Sequence, residues 1–113
     1  MASVTEVWIV EPIEGKTKAE QMERLTGWRD LYLKEGAESI TIYEGGYGVY
    51  VGNWVFCINH ESAEAFGKAQ DKYGAAPETF DNQMEKWQKA PVLKIAAAGL
   101  LHYSDALSSR PSR

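Results

Sequence analysis

The run Asn53-Trp54-Val55-Phe56-Cys57-Ile58-Asn59-His60 decides how this chain is read. Its side chains alternate with a period of two, the period of a β-strand. Trp54, Phe56, Ile58 and His60 share one face, and Val55, Cys57 and Asn59 share the other. The run predicts a strand from Asn53 to His60. Just beyond it, Ser62 suits a helix N-cap, where its hydroxyl accepts from a first-turn amide. Ala63, Phe66, Ala69 and Tyr73 then recur at helical spacing, and Gly74 closes that helix. Pro77 fits the first turn of another helix. There Phe80, Met84 and Trp87 form the apolar stripe before Pro91 stops it.

Working back towards the N-terminus, Glu38 to Glu44 is strand-like, with β-branched Ile40, Thr41 and Ile42. Gly45, Gly46 and Gly48 loosen the chain beyond Glu44. Tyr47, Val49, Tyr50 and Val51 either continue that strand past a bulge or begin the next one. Before it, Thr17 and Glu20 have capping-box spacing, threonine to the first-turn amides and glutamate back to the cap. Met22, Leu25, Trp28 and Tyr32 come next on one helical arc, with Leu33 at its edge. Lys34 suits the last turn and Gly36 the C′ position, which predicts a helix over Lys18 to Glu35. Val4 to Glu11 reads as a first strand, ended by Pro12 and Gly15. Val92 to Tyr103 reads as the last, and Ser108 to Arg113 as a polar tail. One domain over 1–105 and a flexible tail over 106–113 are expected.

The order β-α-β-β-α-α-β predicts a single α+β domain of ferredoxin-like type, with an antiparallel sheet and its helices on one face. In that arrangement the first and third strands are central and the last flanks the first. The second sheet face is left open. A second copy of the same face is its simplest cover, so a homodimer is expected from the economy of the fold.

Composition narrows the classes. The chain has 113 residues, 44% hydrophobic and 25% charged, which fits one globular domain and argues against wholesale disorder. A net charge of −4 without a Lys/Arg run argues against nucleic-acid binding, because a phosphate backbone repels it. One cysteine, Cys57, allows no intrachain disulfide. No stretch approaches the ~20 apolar residues of a membrane helix. The N-terminus lacks a signal-peptide pattern, so a cytoplasmic protein is expected.

Several residues are candidates for chemistry. His60 ends the clearest strand, and a histidine titrating near neutrality suits a general base. The bland alternative is a strand-end histidine that only caps hydrogen bonds. His102 lies near the end of the last strand, and the sheet order does not require it to approach His60. No His, Cys, Asp or Glu spacing marks a metal site, and no cofactor is expected. Trp8, Trp28, Tyr32, Tyr43 and Trp54 are candidates to line a pocket for a planar ligand, or else are plain core. Arg29 is a candidate to hold an anionic group, or a solvated surface residue. Glu6 alternates with Trp8 and Val10: pointing inward it is a buried carboxylate with an acid–base role, and pointing outward it only solubilises. Gly45-Gly46-Tyr47-Gly48 lacks the pattern of a phosphate loop and reads as hairpin flexibility at a pocket rim.

Together, the element order, the first strand ending at Val10-Glu11, Gly36-Ala37-Glu38-Ser39-Ile40, Gly52 to Ile58, and Leu93-Lys94-Ile95 to Leu100-Leu101-His102-Tyr103 resemble the dimeric α+β barrel superfamily. That superfamily includes antibiotic-biosynthesis monooxygenase-like and NIPSNAP-like families, and the resemblance covers about Val4 to Tyr103. The resemblance implies a homodimer with facing sheets and a small pocket between sheet and helices. It also implies cofactor-independent oxygenase, cyclase or isomerase chemistry in some members and no catalysis in others. The haem-degrading branch uses an asparagine on the first strand, and Val4 to Glu11 has none. The cyclase branch uses histidine–tyrosine pairs, for which His60, His102, Tyr43 and Tyr50 are candidates.

The expected function is a small dimeric enzyme or binding protein for a small apolar or aromatic metabolite, without a cofactor. His60 would be the base, Tyr43 or Tyr50 a hydrogen-bond donor, and Trp8, Trp28, Arg29, Tyr32, Trp54 and His102 the ligand contacts. The competing expectation is a non-catalytic dimerisation or structural module of the same fold.

Overall fold

A computed structural model describes residues 3–46, 52–75 and 77–103. Tyr47 to Val51, the side chains of Tyr73 and Phe80, and the tail from residue 104 lie outside that description. The elements are β1 (Val4–Pro12), α1 (Lys18–Lys34), β2 (Ser39–Glu44), β3 (Trp54–His60), α2 (Ala63–Ala75), α3 (Pro77–Lys89) and β4 (Leu93–His102). The strands form one antiparallel sheet in the order β2-β3-β1-β4. This is the ferredoxin-like arrangement with one added helix, as the sequence order predicts.

The caps are written in the chain. Thr17 and Glu20 form the capping box, with Glu20 N–H donating to Thr17 Oγ1 at 3.1 Å and Thr17 N–H donating to Glu20 Oε1 at 3.1 Å. At the other end of α1, Gly36 adopts φ +111°, which a side chain would disfavour. Ala37 N–H then reaches Tyr32 O and Gly36 N–H reaches Leu33 O, the paired bonds of a Schellman motif. Ser62 caps α2, accepting from Ala65 N–H at 3.1 Å.

The apolar arc of α1 differs from expectation at one end. Leu25, Trp28 and Tyr32 are buried, but Met22 is exposed and Gln21 is half-buried in its place. The spacing Gln21–Leu25–Trp28–Tyr32 (four, three, four) follows the sheet-facing stripe more closely than one starting at Met22. Gln21 is usable there because its side-chain oxygen accepts from Trp54 Nε1 at 2.9 Å.

Register assigns each strand residue to a face. Val4, Glu6, Trp8 and Val10 lie opposite His60, Ile58, Phe56 and Trp54, and these eight face the helices. Thr5, Val7 and Ile9 lie opposite Asn59, Cys57 and Val55 on the open face. The core is aromatic: Trp8 stacks on Phe56 at 5.5 Å, and Trp28 and Tyr32 meet Trp8 edge-on at 5.9 and 5.4 Å. β4 pairs with β1 through a register shift between Ile9 and Val10 that skips Ala96. Beyond Leu93 it is exposed along its whole length. Among the described residues no helix is long and apolar enough to cross a membrane.

Candidate active site

Glu6 and His60 are the two ionisable side chains among the eight that β1 and β3 present to the helices. Glu6 and His60 come from adjacent central strands, one register step apart along the sheet. His60 Nε2 lies 3.1 Å from Glu6 Oε2. The imidazole has no solvent exposure, while the Glu6 side chain retains 17%. Phe66 of α2 packs edge-on against the imidazole, ring centroids 5.2 Å apart, and helps to seal it. Glu6 therefore points towards the helices, the inward of the two directions its alternation allowed.

A carboxylate only accepts hydrogen bonds, so the proton of a neutral His60 sits on Nε2. The other nitrogen, Nδ1, is then a bare lone pair. It is buried and has no hydrogen-bond partner. Leaving such an atom unpaired costs roughly 1–3 kcal/mol, a burden that folded chains rarely keep without use. The arrangement has the parts of a general base: a carboxylate that fixes tautomer and ring orientation, and a free nitrogen opposite it.

The other predicted residues are scattered. Trp8 lies two residues beyond Glu6 on the same face of β1 and is half-buried. Tyr32 and Trp28 are buried in the aromatic core, and the Trp28 indole N–H is buried without a partner. Trp54 lies opposite Val10, six residues along β1 from the His60 row. That is about 20 Å away, too far to wall the same pocket. Arg29 is exposed and its Nε donates to Asp30 Oδ1 at 3.0 Å on the surface of α1. Tyr43 lies opposite Val55 on the open face, is 58% exposed, and is separated from His60 by the sheet. Tyr50 lies outside the described residues.

His102 is closer to His60 than the sheet order alone requires. Both lie opposite Val4, one on each side of β1, on the same sheet face. At its exposed strand end His102 also borders a concavity of about 630 Å³ on the open face, shared with Thr5, Val7, Tyr43, Cys57 and Asn59. Burial raises the pKa of the Cys57 thiol. A second cleft, about 270 Å³, lies on the helix side between α1, α3 and the start of β4. Trp28, Met84, Trp87, Leu93 and Ile95 line it. Among the described residues no group of His, Cys, Asp and Glu is arranged to hold a metal ion.

The sequence puts His60 forward as a candidate and leaves the direction of Glu6 open. The missing signal was available: Glu6 takes the position between Val4 and Trp8 in a strand whose even-numbered residues are otherwise large and apolar.

No family model and no curated protein matches this chain. Solved structures match over nearly its whole length at very low identity. One is the At3g17210 protein of Arabidopsis thaliana, with TM-score 0.58, 13% identity, and 95% of this chain and 99% of that one covered. A dimeric ferredoxin-like protein from an uncultured marine organism gives TM-score 0.58 at 11% identity, covering 91% and 96%. A dimeric ferredoxin-like protein of unknown function from Thermobifida fusca gives TM-score 0.51 at 11%, covering 91% of each chain. At these identities the likeness is one of fold. It agrees with the dimeric α+β barrel resemblance drawn from the sequence.

Proposed function

We propose that the protein is a small homodimer that binds an apolar or aromatic metabolite on the helix side of its sheet and moves a proton on it without a cofactor. His60 is the base. Glu6 orients it and stabilises the imidazolium formed when Nδ1 takes a proton. Trp8, beside Glu6, supplies an apolar wall. The observation that carries this reading is the buried, unpartnered Nδ1 of a histidine whose other nitrogen is tied to a carboxylate. The dimer is supported by the open sheet face and by the dimeric ferredoxin-like proteins of the same fold. Tyr43 belongs to that open face and so to the contact between copies rather than to the His60 site.

The competing reading, a non-catalytic dimerisation module, is favoured by how many aromatics are used in packing: Trp8 and Phe56 stack, and Trp28 and Tyr32 each meet both of them. One experiment separates the two. Tryptophan fluorescence is followed while the protein is titrated with small aromatic and polyketide-like compounds. Saturable quenching by one compound class, weakened in both Glu6→Gln and His60→Gln, supports the acid–base reading. A flat response across the panel favours the module.

A further inference from the structure

The cleft between α1, α3 and the start of β4 lies at the other end of the sheet from His60. Its strand residues Leu93 and Ile95 lie opposite Pro12 and Val10, whereas His60 lies opposite Val4. Val10 and Val4 are six residues apart on β1, a distance of about 20 Å. At about 270 Å³ the cleft has a volume near the lower end of small-molecule pockets, which run from roughly 300 to 1,000 Å³. That is room for a body of about one ring and a small substituent. The walls are mostly apolar: Trp28, Met84, Trp87 and Ile95, the last 45% exposed.

One charged side chain lines this cleft, Arg24. Its guanidinium lies over the Trp87 ring, 5.6 Å from the centroid, and donates to Trp87 O and Ala90 O at 3.2 and 2.9 Å. Among the described residues no carboxylate comes within 4.0 Å of it. Both carbonyls lie at the C-terminal end of α3, where a helix dipole amounts to about half a negative charge. They offset part of the guanidinium and leave a positive remainder. Desolvation holds the Arg24 pKa below its usual value, and the pull of neighbouring Glu23 acts the other way. The group still stays charged at neutral pH. On its other flank Arg24 borders a concavity lined by Glu20, Glu23 and Asp30, which repels anions. Among the described residues no carboxylate lines the apolar cleft, so an anion meets Arg24 from that side.

We propose that this cleft binds a small carboxylate with a compact aromatic or other apolar body. The body packs against Trp28, Met84, Trp87 and Ile95, and the carboxylate takes N–H groups of Arg24. A guanidinium carries five N–H donors, more than the two carbonyls use. It is planar and matches a carboxylate at two points, and such charge-assisted bonds are about twice as strong as neutral ones. The ligand supplies the counter-ion that Arg24 lacks and covers Ile95, an apolar side chain left exposed on the wall. The site is separate from the Glu6–His60 centre, and neither reading requires the other.

The test compares benzoate with benzamide, which has the same ring and no charge. The protein is labelled with 15N, and its indole N–H signals, assigned with single Trp→Phe variants, are followed during each titration. Benzoate should shift the Trp28 and Trp87 signals saturably and bind about tenfold or more tighter than benzamide. Arg24→Gln would also remove the two bonds that Arg24 makes to the end of α3, so the deciding variant is Gln88→Glu. Gln88 lines the cleft and is exposed, and the change adds a carboxylate there at nearly constant shape. It should weaken benzoate about tenfold and leave benzamide unaltered. His60→Gln should leave benzoate binding as it is. Equal affinities for the two compounds, or a benzoate affinity that survives Gln88→Glu, overturn the proposal. So does the absence of a saturable shift up to about 10 mM benzoate. A shift confined to Trp8 and lost in His60→Gln also overturns it, and places the ligand beside Glu6 and His60 instead. Benzoate binding that persists in His60→Gln and is lost in Gln88→Glu establishes the cleft whatever becomes of the acid–base centre.

Discussion

On the helix side of the sheet, Trp28 and Tyr32 each pack against both Trp8 and Phe56, and Phe56 and Ile58 are fully buried. On the other side, Thr5 Oγ1 donates to Asn59 Oδ1 at 3.0 Å, and Asn59 Nδ2 donates to Ser39 Oγ and Thr41 Oγ1 at 3.1 and 2.9 Å. The same four strands carry both surfaces. Polar groups are easily accommodated on the open face because water can replace each of those bonds. They are expensive under the helices, where an unmade bond has no substitute. The Glu6–His60 pair is therefore informative about function in a way that the hydroxyl–amide ladder is not.

That contrast has a direct test in paired truncations. Phe56→Ala removes a fully buried ring and is expected to destabilise the fold by about 3–5 kcal/mol. Val55→Ala, the next residue but on the open face and half-buried, should cost less than about 1 kcal/mol in the monomer. Urea unfolding at low protein concentration measures both. Comparable losses would mean that the two faces are not energetically distinct.

A smaller effect sharpens how the helix layer is held. Gly27 lies on α1 where a Cβ would come within 2.8 Å of the Trp87 ring of α3. Arg24 fixes the same contact: its guanidinium donates to Trp87 O and Ala90 O at 3.2 and 2.9 Å and lies over the Trp87 ring. Overpacking of this kind costs ~1–3 kcal/mol, while Ala returns about 1 kcal/mol of helix propensity. Gly27→Ala should therefore destabilise by about 1 kcal/mol and change the near-ultraviolet dichroism of Trp87. A variant more stable than the wild type would show that α3 docks loosely enough to move aside.

The sequence carried more of the fold than of the site, for a physical reason. Capping residues, alternation in β3 and the stripe of α1 are local, and each was readable where it stands. The site depends on register, which no single strand contains. His60 and His102 each had a legible face within their own strand, but only pairing with β1 placed both opposite Val4. The error at Met22 has a related origin. Hydrophobicity favoured Met22 over Gln21, while the wheel position and a partner on another element, Trp54, favoured Gln21. β4 carries exposed apolar residues, Ile95, Leu100 and Leu101, in keeping with its place at the sheet edge.

Cys57 probes the open face without altering it. It is buried among Val7, Thr41 and their neighbours, and burial raises its thiol pKa. The thiolate is the nucleophile, so at pH 8 alkylation by iodoacetamide should run slower than for a cysteine in an unfolded peptide. That much holds for one copy of the chain. If a second copy covers the face, the rate must also fall as protein concentration rises through the dimer dissociation constant, because only the monomer presents the thiol. A rate that is slow but independent of concentration, with the protein monomeric by light scattering, would assign the protection to the sheet alone. The open face would then differ from the helix face in exposure as well as in chemistry. A rate that falls with concentration would mean that the open face becomes a core in the assembly. The Thr5–Asn59 ladder, easily accommodated in the monomer, would then carry the desolvation cost that in one chain falls on Glu6 and His60.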